Sequence, residues 1–104
     1  MNLVSVAQIE RLVDKVNQKR EKHGIEPIAV EMLNHKYALY AKFDSFYDCV
    51  ISLAVKGDTN DIESWKFLRT VDTDNPYDAV KNLNSAIRTE ENFIEFGIDD
   101  LWFV

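Results

Sequence analysis

Four residue types are scarce in this chain of 104 residues: it holds one cysteine, two histidines, three glycines and two prolines. The single cysteine, Cys49, excludes an intramolecular disulfide, and a chain without disulfides is typical of a reducing compartment. We therefore expect an intracellular, cytoplasmic protein. Cys49 and the distant His23 and His35 also exclude a closed zinc site built from cysteine and histidine, because such a site needs four ligands.

Motifs for nucleotide binding and catalysis are missing as well. Three separated glycines leave no glycine-rich loop that could hold a phosphate, and no G-x-S-x-G sequence occurs. Cys49 falls on the apolar side of a predicted strand, which favours a core residue over a nucleophile. The acidic segment 58–63 departs from the EF-hand pattern of glycine at the sixth and glutamate at the twelfth position, because Glu63 and Arg69 stand there. The sequence predicts a protein that is not an enzyme and binds neither cofactor nor metal.

Long apolar runs are also absent. The N-terminus lacks the apolar stretch of a signal peptide, and the longest mostly apolar segment, residues 47–55, is interrupted by Asp48 and Ser52. Since about 20 apolar residues are needed to cross a bilayer, we expect no membrane segment. A hydrophobic content of 46%, with 12% aromatic residues, is enough for one core, and we expect a single domain over residues 1–104.

An amphipathic helix is predicted near the N-terminus. Ser5 and Gln8 have the spacing of a capping box, and Gly24 follows where a helix can end. Between them, apolar residues recur at i, i+3, i+4 and i+7 and form one stripe: Ile9, Leu12, Val13 and Val16. The first helix is therefore predicted over residues 5–22.

Alternating apolar and polar residues follow in three segments. Residues 37–43, 47–55 and 65–71 predict strands, and residues 28–33 predict a short strand or an ordered connection. One face of the last strand is expected to hold Trp65, Phe67, Arg69 and Val71.

Two segments leave alternatives open. A helix through Phe46, Val50 and Leu53, capped by Asp44 and ended by Gly57, competes with the strand at residues 47–55. A second helix is predicted over residues 76–88, because acids and an asparagine precede Pro76 and apolar residues then recur at helical spacing. The remaining tail is either a short helix between Thr89 and Gly97 or a pair of strand pieces.

These elements predict an α+β fold: a three- or four-stranded antiparallel sheet with two helices packed on one face. In the order α-β-β-β-α, the chain resembles a double-stranded-RNA-binding domain. That family binds RNA through lysines at the start of its second helix, where this chain has an acidic segment, residues 74–78. RNA phosphates would be repelled there, so direct nucleic-acid binding is not expected by this route. The alternative is the first helix, one side of which holds Arg11, Lys15, Lys19 and Lys22.

Negative charge dominates most of the chain. The formal net charge is −6, and the residues after Gly24 hold fifteen of the eighteen acids. This charge either keeps the protein soluble or attracts a partner with a basic surface. The tail from Thr89 adds large apolar residues, which either complete the core or form a binding or dimer surface, and Tyr40 and Tyr77 could extend such a surface. The candidate protein-binding residues are Asp72, Asp74, Asp78, Glu90, Glu91, Glu95, Asp99, Asp100, Trp102 and Phe103.

The function predicted from the sequence is a non-enzymatic protein-binding module: an adaptor, regulator or inhibitor that can also form a homodimer. It resembles in style the small acidic inhibitors that phages and other mobile elements direct at nucleic-acid-handling host complexes, where acids around residues 58–63, 72–78 and 90–100 would imitate phosphates. The alternative is a small-molecule-binding or enzymatic domain with a pocket between sheet and tail, in which Asp48 or Glu95 supplies a polar group.

Overall fold

The structure is a computed structural model that describes residues 3–21, 27–44 and 48–96. It has the predicted α+β architecture, with four antiparallel strands in the order β1-β2-β3-β4 and two helices on one face of the sheet. The elements are α1 (Val6–Arg20), β1 (Ile28–Met32), β2 (Tyr37–Asp44), β3 (Asp48–Val55), a 3₁₀ helix (Ile62–Ser64), β4 (Lys66–Asp72) and α2 (Pro76–Phe96).

The start of α1 forms as its local sequence predicts. The Ser5 hydroxyl accepts the Gln8 backbone N–H at 3.3 Å, and the Gln8 side-chain oxygen accepts the Ser5 N–H at 2.9 Å. These bonds satisfy two donors that a helix start leaves without partners. The stripe of Ile9, Leu12 and Val16 is completely buried against the sheet. The helix ends at Arg20, whereas the predicted ends at residues 22 and 24 lie outside the described residues.

A buried asparagine on α2 attaches the segment that precedes α1. Asn84 accepts the Val4 N–H at 2.8 Å and donates its amide N–H to the Val4 carbonyl at 3.1 Å. One side chain thus satisfies both backbone polar groups of a buried residue, as a neighbouring strand would. The contact joins positions 80 residues apart and holds α1 beside α2.

The two central strands alternate as predicted. Leu39 on β2 and both Ile51 and Leu53 on β3 face the helices and are fully buried. Residues 48–55 pair with β2 and residues 50–55 also pair with β4, which shows that the helical alternative for this segment is wrong. Alternating side chains and hydrogen bonds to two neighbouring strands outweigh the helical spacing of a few apolar residues.

The four side chains predicted on one face of β4 are divided between the two faces of the sheet. Leu53 pairs with Arg69 and Ala54 with Phe67, so Leu68 is an extra residue that forms a bulge. A bulge moves the side chains on its two sides to opposite faces of the sheet. Arg69 therefore faces the helices together with Val71, while Phe67 lies on the face that the helices leave open, together with Trp65.

The second helix is longer than predicted. It runs from Pro76 to Phe96 without a break, so the predicted end at Arg88 and the strand alternative for residues 89–96 are both wrong. Thr89 does not cap a new helix, because its hydroxyl donates to the Ser85 carbonyl at 3.0 Å inside α2. Residues 97–104 lie outside the described residues. Within the described part, neither helix combines the length and apolar character that crossing a membrane requires.

Candidate protein-binding site

A shallow groove separates α1 from the start of α2. It has a volume of about 320 Å³ and is lined by Ile9, Glu10, Val13, Asp14, Thr73 and Pro76. Val13 and Thr73 also line a larger cleft of about 650 Å³, which continues past the end of α1 to Glu21 and Asp74. The floor contains apolar side chains, whereas the rim is charged.

A hollow beside this groove is lined by acids from the end of β4 to the first turn of α2. Asp72, Asp74 and Asp78 line one hollow of about 420 Å³ together with Arg69. Asp74 lines the cleft on the other side as well, so the depressions adjoin one another. We refer to this region as the acidic groove and define it by its six exposed acids: Glu10, Asp14, Glu21, Asp72, Asp74 and Asp78.

Hydrogen bonds of the turn between β4 and α2 position the acids. The Asp72 carboxylate accepts the Asp74 N–H at 3.0 Å, and the Thr73 hydroxyl donates to the Cys49 carbonyl at 2.9 Å. The Asn75 side chain accepts the N–H of Asp78 at 3.3 Å and caps α2, as the sequence predicts. The negative charge of Asp78 lies in the first turn, where the helix dipole stabilises it.

Several basic side chains of α1 are engaged with the sheet. Arg11 forms an ion pair with Glu31 of β1 and donates a hydrogen bond to its carboxylate. This hydrogen bond raises the pKa of Arg11 above its ordinary value. Lys19 donates to the Ile28 carbonyl at 2.6 Å, and the guanidinium of Arg20 lies 4.0 Å from the centre of the Phe43 ring. Of the four cations predicted as a nucleic-acid surface, Arg11 and Lys19 are therefore held against β1, Lys15 is exposed, and Lys22 lies outside the described residues.

Two further candidate acids, Glu90 and Glu91, lie far from the acidic groove. They are at least twelve residues beyond Asp78 on α2, which is a distance of about 18 Å along the helix. Glu90 lies 3.5 Å from the ammonium of Lys66, while Glu91 lies 3.7 Å from that of Lys36. Both acids therefore connect the far end of α2 to the body of the fold.

The Glu91 carboxylate also accepts a hydrogen bond from the buried Tyr37 hydroxyl at 2.6 Å. Burial of the phenol and this hydrogen bond raise the pKa of Tyr37 above its ordinary value. The same hydrogen bond, together with Lys36, lowers the pKa of Glu91. A protonated phenol beside an ionised carboxylate is thus the favoured state at neutral pH.

Comparison with known proteins gives no match, whether with family models, with curated proteins or with solved structures. Across the described residues, no three histidine, cysteine, aspartate or glutamate side chains form a group that could hold a metal ion. The lining of the acidic groove combines charged side chains at the rim with apolar side chains at the floor.

The remaining candidates divide into two sets. Tyr77 is 74% exposed in the first turn of α2, while Tyr40 lies on the open face of the sheet, where its ring contacts Phe67 edge-on at a centroid distance of 6.0 Å. The other set falls outside what the structure describes: the side chains of Asp48 and Glu95, and residues Asp99, Asp100, Trp102 and Phe103.

Sequence reasoning missed the contribution of α1 to the site. Glu10, Asp14 and Glu21 alternate with basic residues along the sequence, a pattern that by itself favours a solvated helix face. Their spacing of four and seven residues places them along one side of a helix, so the sequence contains a signal that they share a face. That this face borders the turn before α2 depends on the packing of α1 beside α2.

Proposed function

We propose that this chain is a non-enzymatic protein-binding module whose acidic groove binds a basic, amphipathic segment of a partner protein. The observation that carries the proposal is the collection of six exposed acids, three from α1 and the residue that follows it and three from the end of β4 to the first turn of α2. Among the described residues that line the same depressions, the basic residues are two arginines, Arg20 and Arg69. Such an excess of one charge attracts a partner of the opposite charge and speeds its association.

The apolar floor adds a requirement for the partner. Val13 and Pro76, which are half-buried, lie between the acids of the rim, above the fully buried Ile9. A segment with lysines or arginines on its flanks and apolar residues in its centre would match both features, because apolar contacts at the centre supply most of the affinity while charges at the rim supply orientation.

The same charge pattern disfavours nucleic acid as the direct ligand. Phosphates would meet Asp72, Asp74 and Asp78, whereas binding to phosphates relies on clustered lysine and arginine. Protein surfaces that bind nucleic acids are themselves basic, and an acidic groove can occupy them in place of phosphates. We therefore propose a regulator or inhibitor of a nucleic-acid-handling complex as the role of the module.

Affinity purification from a lysate of the native host tests this function. The protein should retain one stoichiometric protein partner in a low-salt wash and release it in a high-salt wash. Salt weakens the attraction between exposed charges, and the distance over which such charges still attract falls from about 10 Å as the salt concentration rises. Nuclease treatment should leave the complex intact. Retention of nucleic acid alone, or no protein at either salt concentration, would contradict the proposal.

A second candidate function is the binding of a small molecule in the cleft beside Cys49. Its volume of about 650 Å³ lies within the range of ligand sites, which is roughly 300–1,000 Å³. Asn17, Arg20 and Thr73 would supply polar contacts. A screen of metabolites by thermal shift tests this function, and a hit should be lost when Val13→Trp fills the cleft while the variant remains folded.

A further inference from the structure

The first strand, β1, lies at an edge of the sheet, beside β2 alone among the described strands. Just before β1, the Pro27 carbonyl accepts the Phe43 N–H at 3.1 Å. Just after it, the Leu33 N–H donates to the Tyr37 carbonyl at 2.9 Å. Hydrogen-bonded pairs alternate with pairs that form no such bonds along an antiparallel ladder, so every second residue of β1 directs its N–H and C=O away from β2. These outward residues are Ile28, Val30 and Met32.

Most of the outward backbone groups of β1 are accessible. The Ile28 carbonyl accepts a hydrogen bond from the Lys19 ammonium at 2.6 Å. Within the described part of the chain, no group bonds to the outward N–H and C=O of Val30 and Met32, and these two residues are 38% and 41% exposed. A row of unpaired backbone groups at a sheet edge is a template on which one more strand can pair.

Three cations of α1 run alongside this edge. Arg11, Lys15 and Lys19 follow one another at a spacing of four residues, which places them along one side of the helix. Arg11 pairs with Glu31 near one end of β1, and Lys19 reaches the Ile28 carbonyl at the other end. Lys15 lies between them and is exposed. We call these three residues the basic row; it is about 12 Å long, close to the roughly 10 Å that separate Ile28 from Glu31.

We propose that β1 accepts an extended, acidic segment of a partner protein as a fifth strand of the sheet. Charge selects this occupant, because the basic row and β1 together carry three cations against one anion, Glu31. Side chains of a strand point alternately to the two faces of its sheet. Acids at every second position of the added strand would therefore face Lys15 and Lys19, while apolar residues between them would lie beside Val30 and Met32.

The division of labour in such a complex follows from strand addition. Main-chain hydrogen bonds to Val30 and Met32 supply the affinity, and the alternating side chains supply the specificity. Nucleic acid fits this edge less well. Two of the three cations are already engaged, with Glu31 and with the Ile28 carbonyl, and a phosphate backbone cannot use the outward N–H and C=O groups as a second strand does.

The edge of β1 and the acidic groove lie on different sides of α1. Glu10 and Asp14 border the turn before α2, whereas the basic row borders β1. An acidic segment is repelled by the groove and a basic segment is repelled by the row, so the two sites select partners of opposite charge. Binding at the edge is thus an interaction beyond the proposed function, and both sites can be occupied together.

Titration of the isotope-labelled protein with synthetic peptides, followed by nuclear magnetic resonance, tests the proposal. The probe is a peptide slightly longer than β1 in which glutamate alternates with valine. The comparison peptide has the same composition, with all its glutamates at one end. The alternating peptide should shift the amide resonances of β1 and bind about fivefold more tightly or better. Equal binding of the two peptides, no binding of either, or tighter binding of a single-stranded oligonucleotide would overturn the proposal.

A proline at Val30 tests the pairing of backbone groups. Val30→Pro removes an outward N–H and leaves the bonds between β1 and β2 in place, since proline is tolerated in an edge strand where its missing N–H would face solvent. Val30→Thr is the matched control, because it keeps the N–H and a similar shape. The alternating peptide should bind Val30→Thr and lose measurable binding to Val30→Pro. Equal binding to two folded variants would overturn the proposed strand addition.

A charge reversal tests the basic row without changing the backbone. Lys15→Glu should weaken binding of the alternating peptide about fivefold or more, whereas Lys81→Glu, at an exposed lysine of α2, should bind it as the wild type does. Equal affinities of these two variants would overturn the role of the row. Neither Lys15 nor Val30 lines the acidic groove, so their variants should still bind a basic partner, which separates this result from the proposed function.

Discussion

Replacing Asn84 by alanine tests how the N-terminal segment is attached to the fold. Asn84 and Val4 are only 8% and 4% exposed, and the asparagine side chain satisfies both the N–H and the carbonyl of Val4. Alanine can do neither, so two buried backbone groups would lose their partners. Since Val4 immediately precedes the cap of α1, the loss should loosen the contact between the helices.

The size of the effect follows from the two hydrogen bonds. A neutral hydrogen bond contributes about 1 kcal/mol net, and a buried group left without a partner costs about 1–3 kcal/mol. Alanine returns roughly 0.5 kcal/mol because it favours the helix more than asparagine does. We therefore expect Asn84→Ala to lower the free energy of unfolding by roughly 1.5–5.5 kcal/mol. This is a substantial part of the 5–15 kcal/mol typical of domains.

Urea denaturation, followed by tryptophan fluorescence and circular dichroism, measures this loss. The matched control is Asn82→Ala on the same helix, since Asn82 is exposed and only its backbone carbonyl is used, in a bond from Arg69. The control should change stability by no more than about 0.5 kcal/mol. Equal stability of the Asn84 and Asn82 variants would refute the role of Asn84.

Three further changes test separate parts of the fold by the same denaturation assay. Gly57→Ala should cost about 1–3 kcal/mol, because its new methyl group would lie 2.7 Å from the Ser64 carbonyl oxygen. Asn75→Ala should cost about 1 kcal/mol, because α2 loses its cap. Tyr37→Phe should lower the denaturation midpoint at neutral pH. Its effect should shrink as pH falls through the lowered pKa of Glu91, below the ordinary value of about 4.3, since protonation removes the stabilising charge.

Each of these predictions has an outcome that contradicts it. Gly57→Ala with wild-type stability would mean that the loop accommodates the methyl group without cost. An Asn75→Ser variant should retain most of the cap, so equal losses for serine and alanine would point to another cause. A Tyr37→Phe effect that is the same at pH 7 as in acid would show that the charge of Glu91 does not contribute.

Local signals explain why much of the fold was predictable. The capping box of α1 needs only Ser5 and Gln8. In the central strands, residues that face the helices alternate with residues on the opposite face, as an antiparallel sheet with one covered face requires. The faces of β4 were not predictable in the same way. The bulge at Leu68 depends on the pairing of Leu53 and Ala54 with β4, which the sequence of β4 alone does not contain.

The end of α2 and the composition of the candidate site were missed for related reasons. Thr89 resembles a cap, but a threonine inside a helix can direct its hydroxyl to the preceding turn, as it does toward Ser85. The acids before α2 were visible in the sequence as candidates. Their proximity to Glu10 and Asp14 follows from the packing of α1 beside α2, which includes the contact between Asn84 and Val4.

The most direct test of the acidic groove is a comparison of two neutralised variants by titration calorimetry with the partner recovered from the host. Asp74→Asn with Asp78→Asn removes two charges from the groove. Asp58→Asn with Asp61→Asn removes two exposed acids from the loop at the opposite end of β4. The groove variant should bind about tenfold more weakly at low salt, corresponding to about 1.4 kcal/mol, and the loop variant should bind as the wild type does. Equal affinities of the two variants would contradict binding in the acidic groove.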